Sequence, residues 1–345
     1  MHILICADAY PQVGTGHLRR MLTLADALIE QNAQITVQSS ALGIKIAQDS
    51  NVPVRLIDAP CIPQAVIETL KHDRYDAVLL DNYQWDVTSE ALLRAHVPFI
   101  AVVDDLADRL HDADLLLDQN AHHQSADYDD LLPANCQRLV GGDYCLLGAQ
   151  FRTLPETTKG PNAPVFVSLG GGDPNNDLVP MVQTLLTAIP YRLTIATGSH
   201  IDQARELQQI AEDHPLRIEL VFDSSRVAQQ MQESQFAVAA GGTMTWERAA
   251  LGLPSLCLIV ADNQIDSASW LADRDIHTPF DLRPGWSRDA FSQAVANFAT
   301  DMAQQKRHAQ KSRDLIPLDG AVRTARALLN SLNTSAFDIK EMPLG

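Results

Sequence analysis

Short, nearly continuous apolar runs alternate with segments of helical periodicity over the first 150 residues. The runs read HILICAD, QITVQSS, VRLIDA, YDAVLLDN, FIAVVDD and DLLLDQN. Runs of this kind are typical of strands that are buried on both faces of a parallel sheet. After the first run, residues 17–31 place apolar side chains about every 3.6 positions, which predicts a helix that begins at the glycines of VGTGHLRR.

A second α/β series follows a polar segment that contains proline and glycine, RTLPETTKGPNA. Its predicted strands read APVFVSLGGG, YRLTIATG, RIELVFD, QFAVAAGG and PSLCLIVAD. Helical patterns lie between and after these strands, at about 177–188, 201–213, 225–234, 243–252, 264–273, 287–312 and 320–332. No sequence repeat with a period of 20–50 residues interrupts this alternation.

These patterns and the length of 345 residues predict two domains, because single cores rarely grow beyond roughly 250–300 residues. We expect a Rossmann-like domain at 1–151, a linker at 152–163, a second Rossmann-like domain at 164–332 and a tail at 333–345. Both sheets are expected to be parallel and doubly wound, with glycine-rich loops at the carboxyl ends of their strands. Such loops predict a ligand site in a central cleft between the domains.

Composition and charge narrow the class of protein and of partner. Hydrophobic residues make up 46% and charged residues 20% of the chain, as in globular enzymes. The formal charge of −17 disfavours nucleic acid and anionic membrane surfaces as partners. The start MHILICADAY lacks the features of a signal peptide, and no apolar run reaches about 18 residues. We expect a cytoplasmic protein whose five scattered cysteines are reduced core residues.

His17 is the candidate for chemistry in the first half. It follows Gly14 and Gly16 at the junction of strand and helix, and glycines there leave a ligand room to approach the ring. The positive end of the helix dipole disfavours imidazolium, so the neutral ring can accept a proton near pH 7. The alternative is an ordinary solvated or capping histidine. We place Arg20, one turn further, among the contacts to a sugar.

Polar residues after the fourth and fifth predicted strands are expected to reach the same place. Asp81 and Tyr83 stand in DNYQWD, and Asp104 and Asp105 stand in VVDDLADR. They could orient a histidine or form hydrogen bonds with a sugar. The alternative for the aspartates is ordinary helix capping.

Two glycine-rich loops of the second half are candidates for holding an anion. In AAGGTMTWE, Gly242 follows a strand and Thr243 can cap the next helix, whose exposed N–H groups would bind a diphosphate without a lysine. Glu247, one turn beyond, could reach the hydroxyls of a ribose, or it is simply a surface residue. In SLGGGDPNND, Gly171 and Gly172 allow close approach of a ligand, or they only form a tight turn.

Asn263 and Gln264 follow the strand PSLCLIV and add neutral donors and acceptors. Side-chain amides of this kind suit sugar hydroxyls or acetamido groups. The sequence therefore predicts sugar contacts from the second half as well as from the first.

Two other ligand classes are disfavoured. His122 and His123 are adjacent in a polar loop, cannot easily face one metal ion together, and belong to no H-x-x-x-H or H-x-x-E-H pattern. GTGHLR lacks the third glycine of a dinucleotide-binding loop, and no acidic residue ends the second strand. We therefore expect neither a metal nor a cofactor.

The order of these motifs resembles that of a family of nucleotide-sugar hydrolases, the UDP-2,4-diacetamido-2,4,6-trideoxy-β-L-altropyranose hydrolases of pseudaminic acid synthesis. The resemblance extends to about residue 330. It is carried by VGTGHLRR, DNYQWD, VVDD, LLLDQN, SLGGGDPNN and AAGGTMTWERAALGLPSLCLIVADNQ. That family is similar in fold to the GT-B glycosyltransferases, including the MurG type, so the resemblance implies a GT-B-like fold.

The resemblance also implies roles for individual residues. The catalytic histidine of the family falls on His17, its cleft tyrosine on Tyr83 and its sugar-contacting asparagine on Asn263. UDP binding falls on the second domain, at Gly171, Gly172, Gly242, Thr243 and Glu247. The chain departs from the family pattern in YCLLGAQF, where Gly148 replaces an arginine and so removes any contact of that arginine near the nucleotide.

The implied reaction is an inverting hydrolysis without a metal or a covalent intermediate. His17 would take a proton from water as the water attacks the anomeric carbon. UDP would be the leaving group, and the second domain would bind its diphosphate. The sugar would serve pseudaminic acid synthesis and the glycosylation of flagellin or surface glycans. Two alternatives stay open, a GT-B glycosyltransferase that uses an acceptor hydroxyl and a nucleotide-sugar binding protein without turnover.

Overall fold

The computed structural model describes residues 1–10, 15–154, 159–160, 162–173, 175–198, 201–222 and 226–341. The chain divides into two compact units. The first contains Met1–Ala149 and Asp319–Gly345, and the second contains Gln150–Leu318. Each unit holds a parallel sheet flanked by helices, which confirms the predicted fold class.

The first unit contains, among its described residues, a seven-stranded parallel sheet. Its strands are β1 (His2–Ala7), β2 (Gln34–Ser39), β3 (Arg55–Asp58), β4 (Ala77–Asp81), β5 (Ile100–Val103), β6 (Leu115–Asp118) and β7 (Gln137–Val140). Its helices are α1 (Gly16–Ile29), α2 (Ala41–Asp49), α3 (Pro63–His72) and α4 (Val87–Ala91). The strand order β3-β2-β1-β4-β5-β6-β7 changes direction between β1 and β4, and ligands bind at this kind of switch point in open α/β sheets.

The second unit repeats this plan with six parallel strands in its described residues. They are β8 (Val165–Gly170), β9 (Leu193–Thr197), β10 (Ile218–Val221), β11 (Phe236–Ala240), β12 (Ser255–Ile259) and β13 (Thr278–Asp281). The order β10-β9-β8-β11-β12-β13 places the switch point between β8 and β11. The helices that follow Ala149 are α5 (Ala149–Thr153), α6 (Leu178–Ala188), α7 (Ala204–Asp213), α8 (Val227–Glu233), α9 (Met244–Ala250), α10 (Ile265–Asp273), α11 (Arg288–Thr300), α12 (Met302–Arg313) and α13 (Gly320–Glu341).

Alternating side chains of β1 show why its run is apolar throughout. Ile3 and Ile5 belong to a core that includes Leu18 of α1, whereas Leu4 belongs to a separate core with Val66 of α3. Successive residues of a strand point to opposite faces, so a strand covered by helices on both faces needs apolar residues at every position.

The last helix differs from the predicted organisation, in which residues 320–332 close the second domain. Instead α13 belongs to the first unit and packs on α1, with Ala321, Ala325 and Leu328 in the same core as Leu18. Gly320 makes this return possible, because a Cβ atom there would lie 2.3 Å from the Cys145 carbonyl oxygen. The helix also continues through the predicted tail to Glu341.

Two strands and one helix break were not predicted. β7 and β13 are only four residues long, and each contains residues that are partly or largely exposed. The helical pattern at 287–312 is two helices, because the Asp301 carboxylate accepts a hydrogen bond from the Gln304 N–H and starts α12 there. No helix in the described part of the chain has the length and apolar character needed to cross a membrane.

Candidate active site

His17 and Asp81 meet at the switch point of the first sheet. His17 is the second residue of α1, which follows β1, and Asp81 is the last residue of β4. Ala7 of β1 pairs with Asp81 in the parallel register, so the strand pairing carries the carboxylate to the start of α1. The Nδ1 atom of His17 lies 2.6 Å from the Oδ1 atom of Asp81. The expected orientation of the histidine by an aspartate is thus present.

Arg20 lies one turn along α1 and is held by carboxylates. Its Nε donates to Oδ2 of Asp81 and its Nη2 to Oδ1, both at 2.6 Å, and its Nη1 donates to Oδ2 of Asp105 at 2.9 Å. Nη2 also lies 3.1 Å from Nδ1 of His17. Only 5% of the Arg20 side chain is exposed. The structure therefore corrects its expected place among the sugar contacts, because its donors are turned toward buried carboxylates.

Asp81 is a buried but ionised group. Burial by itself raises the pKa of a carboxylic acid. The charge of Arg20, the His17 ring and the hydrogen bonds from both more than offset burial and hold the pKa of Asp81 well below its usual range. An ionised Asp81 accepts a hydrogen bond from the Nδ1–H group of His17, which leaves Nε2 with a lone pair that can accept a proton.

Tyr83 lies beside this pair on the solvent side. It is 37% exposed, and its ring meets the His17 ring edge-on with 4.7 Å between centroids. Its hydroxyl donates to Oδ2 of Asp105 at 3.3 Å. Burial, followed by the nearby Asp105 charge, raises the pKa of Tyr83. The phenol therefore stays protonated and able to donate a hydrogen bond.

A second histidine–aspartate pair lies at the same edge of the sheet, and the sequence did not predict it. Asp118 ends β6, and its Oδ2 atom accepts from Nδ1 of His123 and from the Tyr128 hydroxyl. The Tyr128 hydroxyl is also 3.1 Å from Oδ2 of Asp104. The signal in the sequence was Asp118 at the end of the apolar run in DLLLDQN. No group of three or more histidine, cysteine, aspartate or glutamate residues that could hold a metal occurs in the described residues.

The remaining glycines of the first loop are only partly described. Gly16 is the first residue of α1 and directly precedes His17. Gly14, which we expect to contact the sugar, lies outside the described residues.

The first glycine loop of the second unit follows β8. Gly170 has a φ of +100°, which favours glycine, and a Cβ atom added at Gly172 would meet no heavy atom within 4 Å. There is therefore room for a ligand beside Gly172, and Gly171 is exposed. The following helix start is occupied, because the Asp173 carboxylate accepts from the N–H groups of Asp177 and Leu178 at 2.9 Å each.

The second glycine loop follows β11, the neighbour of β8. Gly242 and Thr243 are exposed, and the nearest atom to a Cβ at Gly242 would be Nε2 of Gln264 at 3.9 Å. Thr243 stands before α9 but makes no capping hydrogen bond with its side chain, because its own backbone is helical. Glu247 lies in the first turn of α9. The N–H groups at this helix start are thus not covered by the threonine.

Asn263 and Gln264 lie in a short 3-10 helix after β12, Asp262–Gln264. Asn263 is exposed. The Oε1 atom of Gln264 accepts from the Val260 N–H at 3.1 Å, and its amide lies against the Gly241–Gly242 backbone. Gln264 therefore supports the glycine loop, and part of its expected capacity for sugar is used by the protein.

The second unit also has an open pocket of about 500 Å³ next to Asn263. It is lined by Asp262, Asp281, Arg283, Pro284, Gly285 and Trp286. The Arg283 guanidinium pairs with Asp262 at 2.6 Å and with Asp281 at 2.7 Å. Because both carboxylates already compensate this charge, the pocket has no free cation for a phosphate.

Solved structures of similar fold include GT-B glycosyltransferases. The chain superposes on Acinetobacter baumannii MurG with a TM-score of 0.63 at 15% identity, covering 95% of this chain and 99% of that one. It superposes on the calicheamicin glycosyltransferase CalG4 with a TM-score of 0.66 at 17% identity, covering 96% and 98%. The fold is therefore GT-B-like.

Two curated proteins are similar in sequence. The UDP-2,4-diacetamido-2,4,6-trideoxy-β-L-altropyranose hydrolase of Campylobacter jejuni is 26% identical over 277 residues, 79% of this chain and 97% of that protein. The spore coat polysaccharide biosynthesis protein SpsG of Bacillus subtilis is 22% identical over 294 residues, 79% of this chain and 82% of that protein. The first match confirms the resemblance read from the motifs. No protein-family profile matches the chain.

Proposed function

We propose that this protein hydrolyses UDP-2,4-diacetamido-2,4,6-trideoxy-β-L-altropyranose to UDP and the free sugar, as a step of pseudaminic acid synthesis. The observation that carries the proposal is the contact of 2.6 Å between Nδ1 of His17 and the buried Asp81 carboxylate, which leaves Nε2 as a base. The similarity to the Campylobacter jejuni hydrolase supports the choice of substrate.

The reaction follows from the protonation of the histidine. Nε2 of His17 accepts a proton from water as the water oxygen bonds to the anomeric carbon. The bond between that carbon and the oxygen of the β-phosphate breaks, and its electron pair leaves with UDP. The Asp81 carboxylate stabilises the imidazolium that forms, and the proton then passes to solvent. A single displacement inverts the configuration of the anomeric carbon.

We assign the sugar contacts to exposed polar side chains and the UDP contacts to the second unit. Tyr83 and Asn263 are both exposed, and they would orient the sugar so that one face meets the water. The diphosphate would lie on the open backbone at Gly171, Gly172, Gly242 and Thr243, and Glu247 would bind the ribose. Neither helix start that follows these loops is capped by its own N-cap side chain. The Asp173 carboxylate occupies the start of α6, which favours the start at Thr243 for the diphosphate.

A glycosyltransferase is the second candidate, and the solved structures of similar fold favour it. In that reaction an acceptor hydroxyl replaces water, and the same histidine serves as base. The formal charge of −17 and the absence of a basic cluster in the sequence argue for water or a small neutral acceptor over an anionic lipid acceptor.

The test is to incubate the protein with a panel of UDP-diacetamido-trideoxyhexoses in H₂¹⁸O and follow the products by NMR and mass spectrometry. Hydrolysis at the anomeric carbon gives inverted sugar and UDP without ¹⁸O, whereas attack on phosphorus places ¹⁸O in the nucleotide. Retained configuration contradicts the single displacement. Release that requires an added alcohol identifies the transferase, and binding without release identifies a non-catalytic binding protein.

Substitution of the base gives the first prediction. His17→Gln is expected to lower kcat by at least about 10³-fold, since the general base is lost, while the Kd for UDP changes less than about twofold. UDP release and calorimetry with UDP measure the two quantities. The matched control is His72→Gln, which changes an exposed histidine at the end of α3 and should leave both unchanged. A His17→Gln protein with near-normal turnover would remove His17 from the mechanism.

A further inference from the structure

The Nδ1 atom of His17 lies near one hydrogen-bond acceptor and one hydrogen-bond donor. Oδ1 of Asp81 at 2.6 Å accepts a hydrogen bond and requires a proton on Nδ1. Nη2 of Arg20 at 3.1 Å donates and requires a lone pair there. A neutral imidazole has one protonated and one bare nitrogen, so the balance between the two partners decides which nitrogen can act as a base.

We propose that Arg20 is a positioning residue that keeps His17 neutral, with its proton on Nδ1, by holding the Asp81 carboxylate in place and offsetting its charge. This inference rests on the proposed function, in which Nε2 of His17 is the base. It replaces the sugar contact that the sequence suggested for Arg20.

The hydrogen-bond geometry supports the first half of this role. Nε and Nη2 of Arg20 grip both oxygens of Asp81 at 2.6 Å, and Nη1 is anchored on Asp105 at 2.9 Å. The guanidinium is planar, so a grip on both oxygens fixes the plane of the carboxylate. Oδ1 of Asp81 is thereby directed at Nδ1 of His17. The shorter contact, at 2.6 Å, is with this acceptor, and the contact with the Arg20 donor is 3.1 Å. The hydrogen bond to Asp81 is therefore the stronger one, and the proton stays on Nδ1.

The charges around His17 support the second half. Asp81 on β4 favours the imidazolium, and Arg20 on α1 opposes it from the same side of the ring. Asp105, after β5, accepts hydrogen bonds from Arg20 and from the Tyr83 hydroxyl. Tyr83, after β4, presents a neutral phenol ring to His17. Without Arg20 the Asp81 charge would favour the imidazolium, so a larger share of His17 would hold its second proton near neutral pH and could not act as a base there.

The second histidine–aspartate pair shows what happens without an arginine. Nδ1 of His123 forms a hydrogen bond with the Asp118 carboxylate. The same carboxylate accepts from the Tyr128 hydroxyl and from the backbone N–H of Asn120. Burial lowers the pKa of His123, but the hydrogen bond and charge of Asp118 outweigh burial and raise it above its ordinary value. Among the described residues, a guanidinium forms hydrogen bonds with the carboxylate of Asp81 but not with that of Asp118.

The test reads the protonation of His17 directly and needs no substrate. In ¹⁵N-histidine-labelled protein, NMR at pH 7.5 should show the single ring proton of His17 on Nδ1. Arg20→Gln should raise the His17 midpoint by about one to two pH units, because a cation near Nδ1 is lost. Arg20→Lys, which keeps the charge, should restore most of that shift. Arg19→Met removes a neighbouring charge on an exposed side chain of α1 and should leave the midpoint unchanged.

The pH dependence of turnover is a second test of the role of Arg20. The acid limb of the pH–rate profile should move upward in Arg20→Gln, so that activity falls about 10- to 100-fold at pH 7 and recovers near pH 9. A merely structural residue would lower activity equally at all pH values and leave the His17 midpoint unchanged, and that result overturns the proposal. If Arg20→Gln does not fold, an imidazolium at His17 or a proton on Nε2 in the unsubstituted protein at pH 7.5 overturns it. If no UDP-sugar is hydrolysed, the proposed function fails, but the NMR midpoints still decide the role of Arg20.

Discussion

Asp81 shows how one buried residue can orient a neighbouring histidine. It is 1% exposed, and its two oxygens accept from Arg20 and from His17. A buried charge is costly unless it is paired and hydrogen-bonded on all sides. Asp81 meets both conditions, and its ionised state in turn holds the proton of His17 on Nδ1.

Asp81→Asn tests this link at the scale of a single residue. The amide group of asparagine can donate to Nδ1, which moves the histidine proton to Nε2 and removes the base. We expect kcat to fall by about 10³- to 10⁴-fold while the Kd for UDP stays within about twofold. Turnover assays and calorimetry measure these values, with Asp129→Asn, an exposed carboxylate of the same unit, as the control. Turnover within tenfold of normal would mean that Asp81 does not orient the base.

At the scale of elements, hydrogen bonds from the buried Arg248 side chain connect the two ends of the loop between β11 and α9. Nη2 of Arg248 donates to the Ala240 carbonyl at the end of β11 and to Oγ1 of Thr245 in the first turn of α9, both at 3.1 Å. The side chain is 1% exposed. Burial lowers the pKa of Arg248, but a guanidinium remains charged in proteins. The two bonds bracket the backbone at Gly241, Gly242 and Thr243.

Arg248→Met should therefore weaken the binding of a diphosphate more than the binding of a nucleoside. The loop loses the bonds that hold its two ends, so we expect the Kd for UDP to rise about tenfold and the Kd for uridine to change less than about twofold. Calorimetry measures both. Arg274→Met, which removes an exposed arginine stacked on Trp270, is the control. An equal loss for UDP and uridine would indicate general damage to the unit.

At the scale of the whole molecule, the chain is not two domains in simple succession. It leaves the first unit after Ala149 and returns at Asp319, so that α13 completes the core on α1. Each sheet reverses its strand order once, and each reversal carries candidate residues, His17 and Asp81 in one unit and the two glycine loops in the other.

Global stability is expected to fall in mild acid because of two buried histidines of the second unit. Burial lowers the pKa of His277 to about 4 and that of His308 to about 4, against about 6.5 in an unfolded chain. Below pH 6.5 the unfolded state binds protons that the folded state refuses, so the free energy of unfolding should decrease between about pH 6.5 and 4 and level off below. The loss is up to about 3 kcal/mol for each histidine.

Denaturant unfolding at several pH values measures this slope. His277→Gln and His308→Gln should each flatten it, because glutamine does not titrate. His214→Gln, at an exposed position after α7, should keep the full slope. An unchanged slope in both buried variants would assign the pH dependence to other groups.

Much of the fold could be predicted from the sequence, because strands buried on both faces leave a local signal. All six apolar runs of the first half are strands, and the helix predicted from the pattern at 17–31 runs from Gly16 to Ile29. β7 and β13 were missed because neither forms an apolar run: β7 reads QRLV and β13 reads TPFD. The place of α13 was missed because helical periodicity identifies an apolar face but not the surface on which it packs.

The sequence by itself determined the two parallel α/β units and the positions of His17 and of the glycine loops at strand ends, because backbone periodicity and glycine act locally. Only the tertiary structure decided what surrounds them. The pairing of β1 with β4 brings Asp81 to His17 across 64 positions of the chain, and the path of the chain turns Arg20 inward. The folded chain likewise places the Asp173 carboxylate at the start of α6 and the Gln264 amide against the Gly241–Gly242 backbone. Hydrogen bonds between distant residues depend on distances that only the folded chain sets.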